Sequence, residues 1–170
     1  MKGDDFKRLA VISIDDGARL GHVDDLRLDT KALKVAAICF EAEGQHSLVA
    51  FEDVRSIGND AVTVQNRDVA RSFSAETALA NLPGLEQMQQ LKVVDERGDY
   101  LGKVSDVEID TATGRIVEIR TQEGGVLGIG GKRATFTADQ VRSVGDDLIV
   151  VAARSSEGQE EQKKKSAEES

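Results

Sequence analysis

Apolar positions along this chain come in short alternating runs broken by glycine and aspartate, a pattern of strands and turns. In one stretch Val104, Val107 and Ile109 set part of their side chains on one face of a strand, and 110–114 (Asp-Thr-Ala-Thr-Gly) has the turn chemistry to send the chain back as Ile116–Thr121. A further strand is predicted at Arg133–Thr137, a short turn at Ala138–Gln140 and a closing strand at Asp147–Ala153. The first half predicts the same series, with strands at Leu9–Ile14, His22–Leu28, Val35–Glu41, Ser47–Phe51 and Ala61–Gln65. Between the halves, Ser74 is placed to cap a helical stretch, Ala75–Asn81, that Pro83 and Gly84 terminate, with Leu79, Leu82 and Leu85 available to dock on the strands. From Ser155 onward the sole apolar residue is Ala167, which predicts a disordered polar tail at 155–170.

The two halves are copies of one unit. Leu20, Gly21, Val23, Asp25, Leu26, Leu28, Asp29 and Thr30 match Leu101, Gly102, Val104, Asp106, Val107, Ile109, Asp110 and Thr111, each pair 81 positions apart. Val54-Arg55-Ser56-Ile57-Gly58 then matches Val141-Arg142-Ser143-Val144-Gly145 at 87, so the second copy holds six extra residues in its glycine-rich segment. Five or six short strands per copy hide their edges only by curling into a small barrel. A barrel of that size is marginal alone, and the second copy supplies the partner it needs.

The order of an apolar strand, an acidic turn, Leu-Gly-x-Val-x-Asp, a hairpin and Val-x-Ser-apolar-Gly-x-Asp resembles the PRC-barrel domain. That family is known from the cytoplasmic barrel of the photosynthetic reaction-centre H subunit and from a ribosome maturation factor. The resemblance implies an all-β chain with two small barrels in tandem about a pseudo-two-fold axis. It divides the chain into a first barrel at 1–67, a linker with a short helix at 68–89, a second barrel at 90–154 and the tail. It also implies a module that docks on another protein.

Composition narrows the partners. The formal net charge of −9, from 22 Lys+Arg against 31 Asp+Glu, repels phosphate backbones, and one Tyr with no Trp offers few stacking platforms. The basic run Lys163–Lys165 is flanked by glutamates. Direct nucleic-acid binding is therefore not expected. One Cys excludes an intrachain disulfide and a cysteine-based zinc site; the apolar stretch Leu9–Ile14 is short for a signal-peptide core, and no membrane insertion is expected. These features predict a cytoplasmic protein.

Candidate chemistry reads as architecture. Asp25 and Asp106, with Asp29 and Asp110, recur in both copies; a catalytic site is seldom needed twice, whereas an aspartate at a strand end fixes a turn by accepting from nearby amides. No EF-hand or His-x-x-x-His spacing is present, so no metal or cofactor is expected. In the segment 124–131, Val126 and Arg133 stand where a phosphate-binding loop needs Gly and Ser/Thr, leaving Val126, Leu127 and Ile129 as contact candidates. His22 and His46 align with Lys103 and Arg133 and read as surface residues. Val35, Ala37 and Cys39 form an apolar stripe opposite Ala36, Ile38 and Phe40, where the second copy has Ile116, Glu118 and Arg120; the stripe is expected to meet the other barrel or another chain.

The function predicted is a non-catalytic interaction module or adaptor with a protein partner, a second copy of the chain being one candidate. The rivals are a ribosome- or RNA-associated factor acting through a ribosomal protein and a small-molecule or redox-responsive regulator.

Overall fold

The structure, a computed structural model, describes residues 1–124 and 131–153. Among these described residues, thirteen strands form two sheets. The first half supplies β1 (Ala10–Ser13), β2 (Arg19–Asp29), β3 (Lys34–Ala42), β4 (Gln45–Ala50), β5 (Val54–Ile57), β6 (Ala61–Val64) and β7 (Arg71–Ser72). Two one-turn helices, α1 (Thr77–Ala80) and α2 (Leu85–Met88), lead to the second half. That half contains β8 (Lys92–Asp95), β9 (Tyr100–Ile109), β10 (Ile116–Glu123), β11 (Lys132–Thr137), β12 (Val141–Val144) and β13 (Leu148–Val151).

The sheets run β5-β6-β1-β2-β3-β4-β7 and β12-β13-β8-β9-β10-β11, the same order but for β7. In each, the first strand lies parallel to the sixth, β1 beside β6 and β8 beside β13, while the other neighbours are antiparallel. Strands near opposite ends of the order, β4 and β5 or β11 and β12, are joined through a single 3₁₀ turn, Phe51–Asp53 or Ala138–Gln140, so each sheet curls on itself. The tandem barrel-like architecture expected from the repeat is therefore present. The six-residue surplus has a simple origin. Glu43 and Gly44, both at positive φ, close the β3–β4 hairpin as a two-residue turn, whereas Glu123 and Lys132 pair across the segment 124–131.

The barrels share one core. Phe6, Leu9, Leu28, Leu85, Met88 and Ile109 are buried in a single cluster with the inward residues of both sheets. The contact is reciprocal: Val35 N–H donates to the Gly114 carbonyl and Ile116 N–H to the Leu33 carbonyl, both at 2.8 Å. Since Val35 and Ile116, and Leu33 and Gly114, are repeat partners, this is one bond written twice about a pseudo-two-fold axis near the Lys34–Arg115 bridge.

Entry segments are exchanged in the same manner. Ile109 N–H donates to the Met1 carbonyl and Leu28 N–H to the Pro83 carbonyl, again both at 2.8 Å, so the start of each unit lies on the long strand of the other. The segment then enters its own barrel, where the Leu9 and Leu91 carbonyls each accept from the long strand, from Val23 and Val104, at 3.0 Å.

The linker departs from expectation. Its helix is Thr77–Ala80, shorter than the predicted Ala75–Asn81, and Ser72 Oγ instead of Ser74 accepts from a linker amide, that of Ala75 at 3.3 Å. The four-residue helix is preceded by β7, which adds two residues to β4 and fixes the chain as extended.

Gly114 sits on the axis at φ 76, and a Cβ there would lie 2.9 Å from the Phe51 ring. Gly114→Ala is expected to cost about 1–3 kcal/mol through left-handed strain and displacement of that ring. Urea unfolding would measure it, and amide protection should fall together in β2–β3 and β9–β10; loss confined to one half would contradict a shared core.

Candidate functional site

The recurrent aspartates are joined to the backbone. Asp29 Oδ1 accepts from Lys31 and Ala32 N–H at 3.1 and 3.0 Å, and Asp110 Oδ1 from Ala112 and Thr113 N–H at 2.9 and 3.3 Å, each holding its hairpin turn. Asp25 and Asp106 are not at strand ends. They lie inside β2 and β9 at register irregularities, where each Oδ1 accepts from the next amide, Leu26 at 2.8 Å and Val107 at 2.7 Å. Asp25 Oδ1 also accepts from Leu85 N–H at 3.0 Å, and its Oδ2 pairs with Arg27 Nη1 at 2.7 Å. The expected turn role is thus replaced by a clamp: the carboxylate satisfies a bulge amide and seats the exchanged segment. Partial burial pushes the Asp106 carboxyl above the usual carboxylate range, while the Met1 ammonium at 2.9 Å and Arg120 at 3.1 Å hold Glu108 below it.

The stripe read as Val35, Ala37 and Cys39 divides. A register shift between Arg27 and Leu28, opposite β3, breaks its alternation: Val35 joins the shared core, and Ala37 and Cys39 form a satellite cluster with Leu48. Phe73, Leu79 and Ala80 of the linker cover that cluster, so Val35 meets the core shared with the other barrel, as expected, while Ala37 and Cys39 meet the chain's own linker. The strap is further held by Arg71–Glu76 at 3.3 Å, by Arg27 over the Phe73 ring at 5.3 Å and by His46 beside that ring at 5.5 Å. Burial pushes the Cys39 thiol up to about 12, which leaves it protonated and unreactive at neutral pH. His22 is exposed; the contact candidates Val126, Leu127 and Ile129, and the tail, lie outside the described residues.

Two grooves occupy equivalent places. One, of about 750 Å³, lies between the Pro83–Leu91 segment and the β12–β13 turn, with Thr30, Met88, Val144 and Leu148 in its lining. Its counterpart, of about 460 Å³, is lined by Met1, Asp5, Arg8, Ile57, Asn59 and Thr111. No group of three or more metal-ligating side chains occurs among the described residues.

The outer faces of the sheets differ more. Where β3 and β4 present Ala37, Cys39 and Leu48 under the linker, β10 and β11 present Glu118, Arg120 and Thr135. No linker covers that second face among the described residues, and Tyr100 and Leu148 on the same sheet are 45% and 37% exposed. Repeat alignment places Cys39 opposite Arg120, and the linker's Leu79 is available to dock on the strands, but nothing in the sequence matches the one to the other.

The family model for the PRC-barrel domain matches residues 1–70 and 84–157. The matched segments hold all thirteen strands except β7. A comparison with curated proteins returns no match.

Two outcomes follow from these contacts. Cys39→Arg would place a charge under the linker and is expected to destabilise the monomer by about 3 kcal/mol or more, measured as a lower urea midpoint with unchanged gel-filtration size. Glu108→Gln is expected to cost about 0.5–1 kcal/mol at pH 7. Because the folded-state pKa of Glu108 is lowered, its stabilisation is present above the ordinary value of 4.5 and lost as pH falls through the folded value. The stability difference between the two proteins should therefore narrow on acidification; a difference that widens would exclude Glu108 as an ionised anchor.

Proposed function

The chain belongs to the PRC-barrel family, and from that premise we propose that it is a non-catalytic protein-interaction module, an adaptor whose tandem barrels form one body presenting a docking face. The observation that carries this reading is the asymmetry of the two outer faces. The same sheet surface is covered by the chain's own linker in the first barrel and left without that cover in the second. The second sheet, which the linker does not reach, also carries exposed Tyr100 and Leu148, and such apolar exposure is suited to contact with another molecule.

The side chains that first suggest chemistry support the same reading. Asp25, Asp29, Asp106 and Asp110 each accept backbone bonds, and Cys39 lies under the linker. No helix among the described residues is long and apolar enough to cross a membrane.

Affinity capture from the native cell at low and moderate salt, with chemical cross-linking, tests the proposal. The expected result is one protein recovered in stoichiometric amount and retained after nuclease treatment. Recovery that depends on RNA would favour the ribosome-associated alternative and overturn the adaptor reading.

A further inference from the structure

One row of outward side chains crosses five strands of the second sheet. Leu148 on β13 neighbours Lys92 on β8, Lys92 faces Lys103 on β9, Lys103 faces Gln122 on β10, and Gln122 faces Arg133 on β11. The corresponding row of the first sheet reads Ala61, Ala10, His22, Glu41 and His46. One copy therefore carries three fixed cations where the other carries a carboxylate and two imidazoles.

Those cations are exposed, and among the described residues none of the three makes an ion pair or side-chain hydrogen bond. Like charges directly opposite across two strands are destabilising, and Lys92 and Lys103 form such a pair. In a chain of net charge −9 counter-ions are abundant, yet among the described residues none forms an ion pair with this row.

Beside the basic row runs an apolar one. Val150 neighbours Val94, and Val94 faces Tyr100. The two rows lie two residues apart along the strands, about 7 Å, and neighbouring strands are about 4.8 Å apart. Lys92 and Lys103 are therefore about 5 Å apart and Lys103 and Arg133 about 10 Å, which match one and two turns of an α-helix. A helix laid across β13, β8 and β9 would cover both rows there at once, with its apolar stripe on Val94, Val150, Tyr100 and Leu148 and its carboxylates over Lys92 and Lys103.

Resting on the adaptor reading, we propose that this face of the second barrel binds an acidic amphipathic helix of a partner protein. Aliphatic side chains beside the cations suit a protein stripe better than bases, and three cations are few for a phosphate backbone to hold against the charge of the whole chain.

The test uses the full chain and a fluorescein-labelled 18-residue helical peptide with Leu at i, i+3, i+4 and i+7 and Glu flanking the stripe. Comparison probes are the same peptide with Lys for Glu, an 18-nucleotide oligothymidylate, and vesicles containing phosphatidylserine. The acidic peptide is expected to bind by fluorescence anisotropy, to weaken with salt and to lose at least tenfold in affinity with Lys92→Glu/Lys103→Glu. The lysine peptide is expected not to bind. Lys92→Glu alone turns a like-charged pair into an opposite pair, so it should raise Tm while weakening the peptide, separating docking from folding. No binding, binding indifferent to charge reversal, or tighter binding of oligothymidylate or vesicles would overturn the proposal. A captured partner cross-linked only to another face would likewise overturn this assignment while leaving the adaptor reading intact; failure to capture any stoichiometric protein would count against that reading itself.

Discussion

The fold depends on a reciprocal pair of backbone hydrogen bonds, Val35 to Gly114 and Ile116 to Leu33, set at the point where the two hairpins cross. Each barrel has too few residues to bury its own apolar surface well, and the crossing turns two marginal cores into a single cluster running from Phe6 to Val151. The exchanged entry segments extend the same solution. Met1 and Pro83 offer carbonyls to the long strand of the opposite unit, while Leu9 and Leu91 bring the chain back to its own. The halves are less two domains in contact than one symmetric body assembled from a repeated sequence.

Symmetry also explains where the repeated polar residues are committed. A carboxylate inside a strand is costly unless its lone pairs are used, and Asp25 and Asp106 occupy irregularities that leave an amide for them to accept. Gly84 and Gly3 allow the exchanged segment to approach: a Cβ on Gly3 would lie 3.0 Å from Asp106 Oδ1, and one on Gly84 would meet the Asp25 carboxylate and Arg27. Duplication fixed these positions in pairs, whereas the outer faces diverged into Ala37, Cys39 and Leu48 on one side and Glu118, Arg120 and Thr135 on the other.

Much of this was legible in the sequence. Two spacings, 81 and 87, gave the repeat and located the surplus between β10 and β11, and alternation found most strands because each buries one face. What escaped is what alternation cannot encode. A bulge breaks the period of two, which misassigned Val35 to the face of Cys39 and placed Asp25 at a strand end. A two-residue strand such as β7 has no periodicity at all. The exchange of segments did leave a trace, since Phe6 and Met88, Leu9 and Leu91, and Val11 and Val93 recur 82 positions apart. That recurrence identifies equivalent segments, but it does not say which barrel each one crosses to.

The linker between β6 and β8 has a role in addition to covering Cys39. Each half exposes an interface that another copy of itself could satisfy, because equivalent segments make equivalent bonds. Covalent connection sets a different competition: a short tether holds the second half at an effective concentration of about a millimolar, far above that of free chains in a cell. Intramolecular closure therefore outruns pairing between molecules. A sequence that could have assembled as a symmetric dimer instead folds as one chain with two unequal outer faces, and only such inequality allows a body with this internal symmetry to engage a single partner in a single orientation.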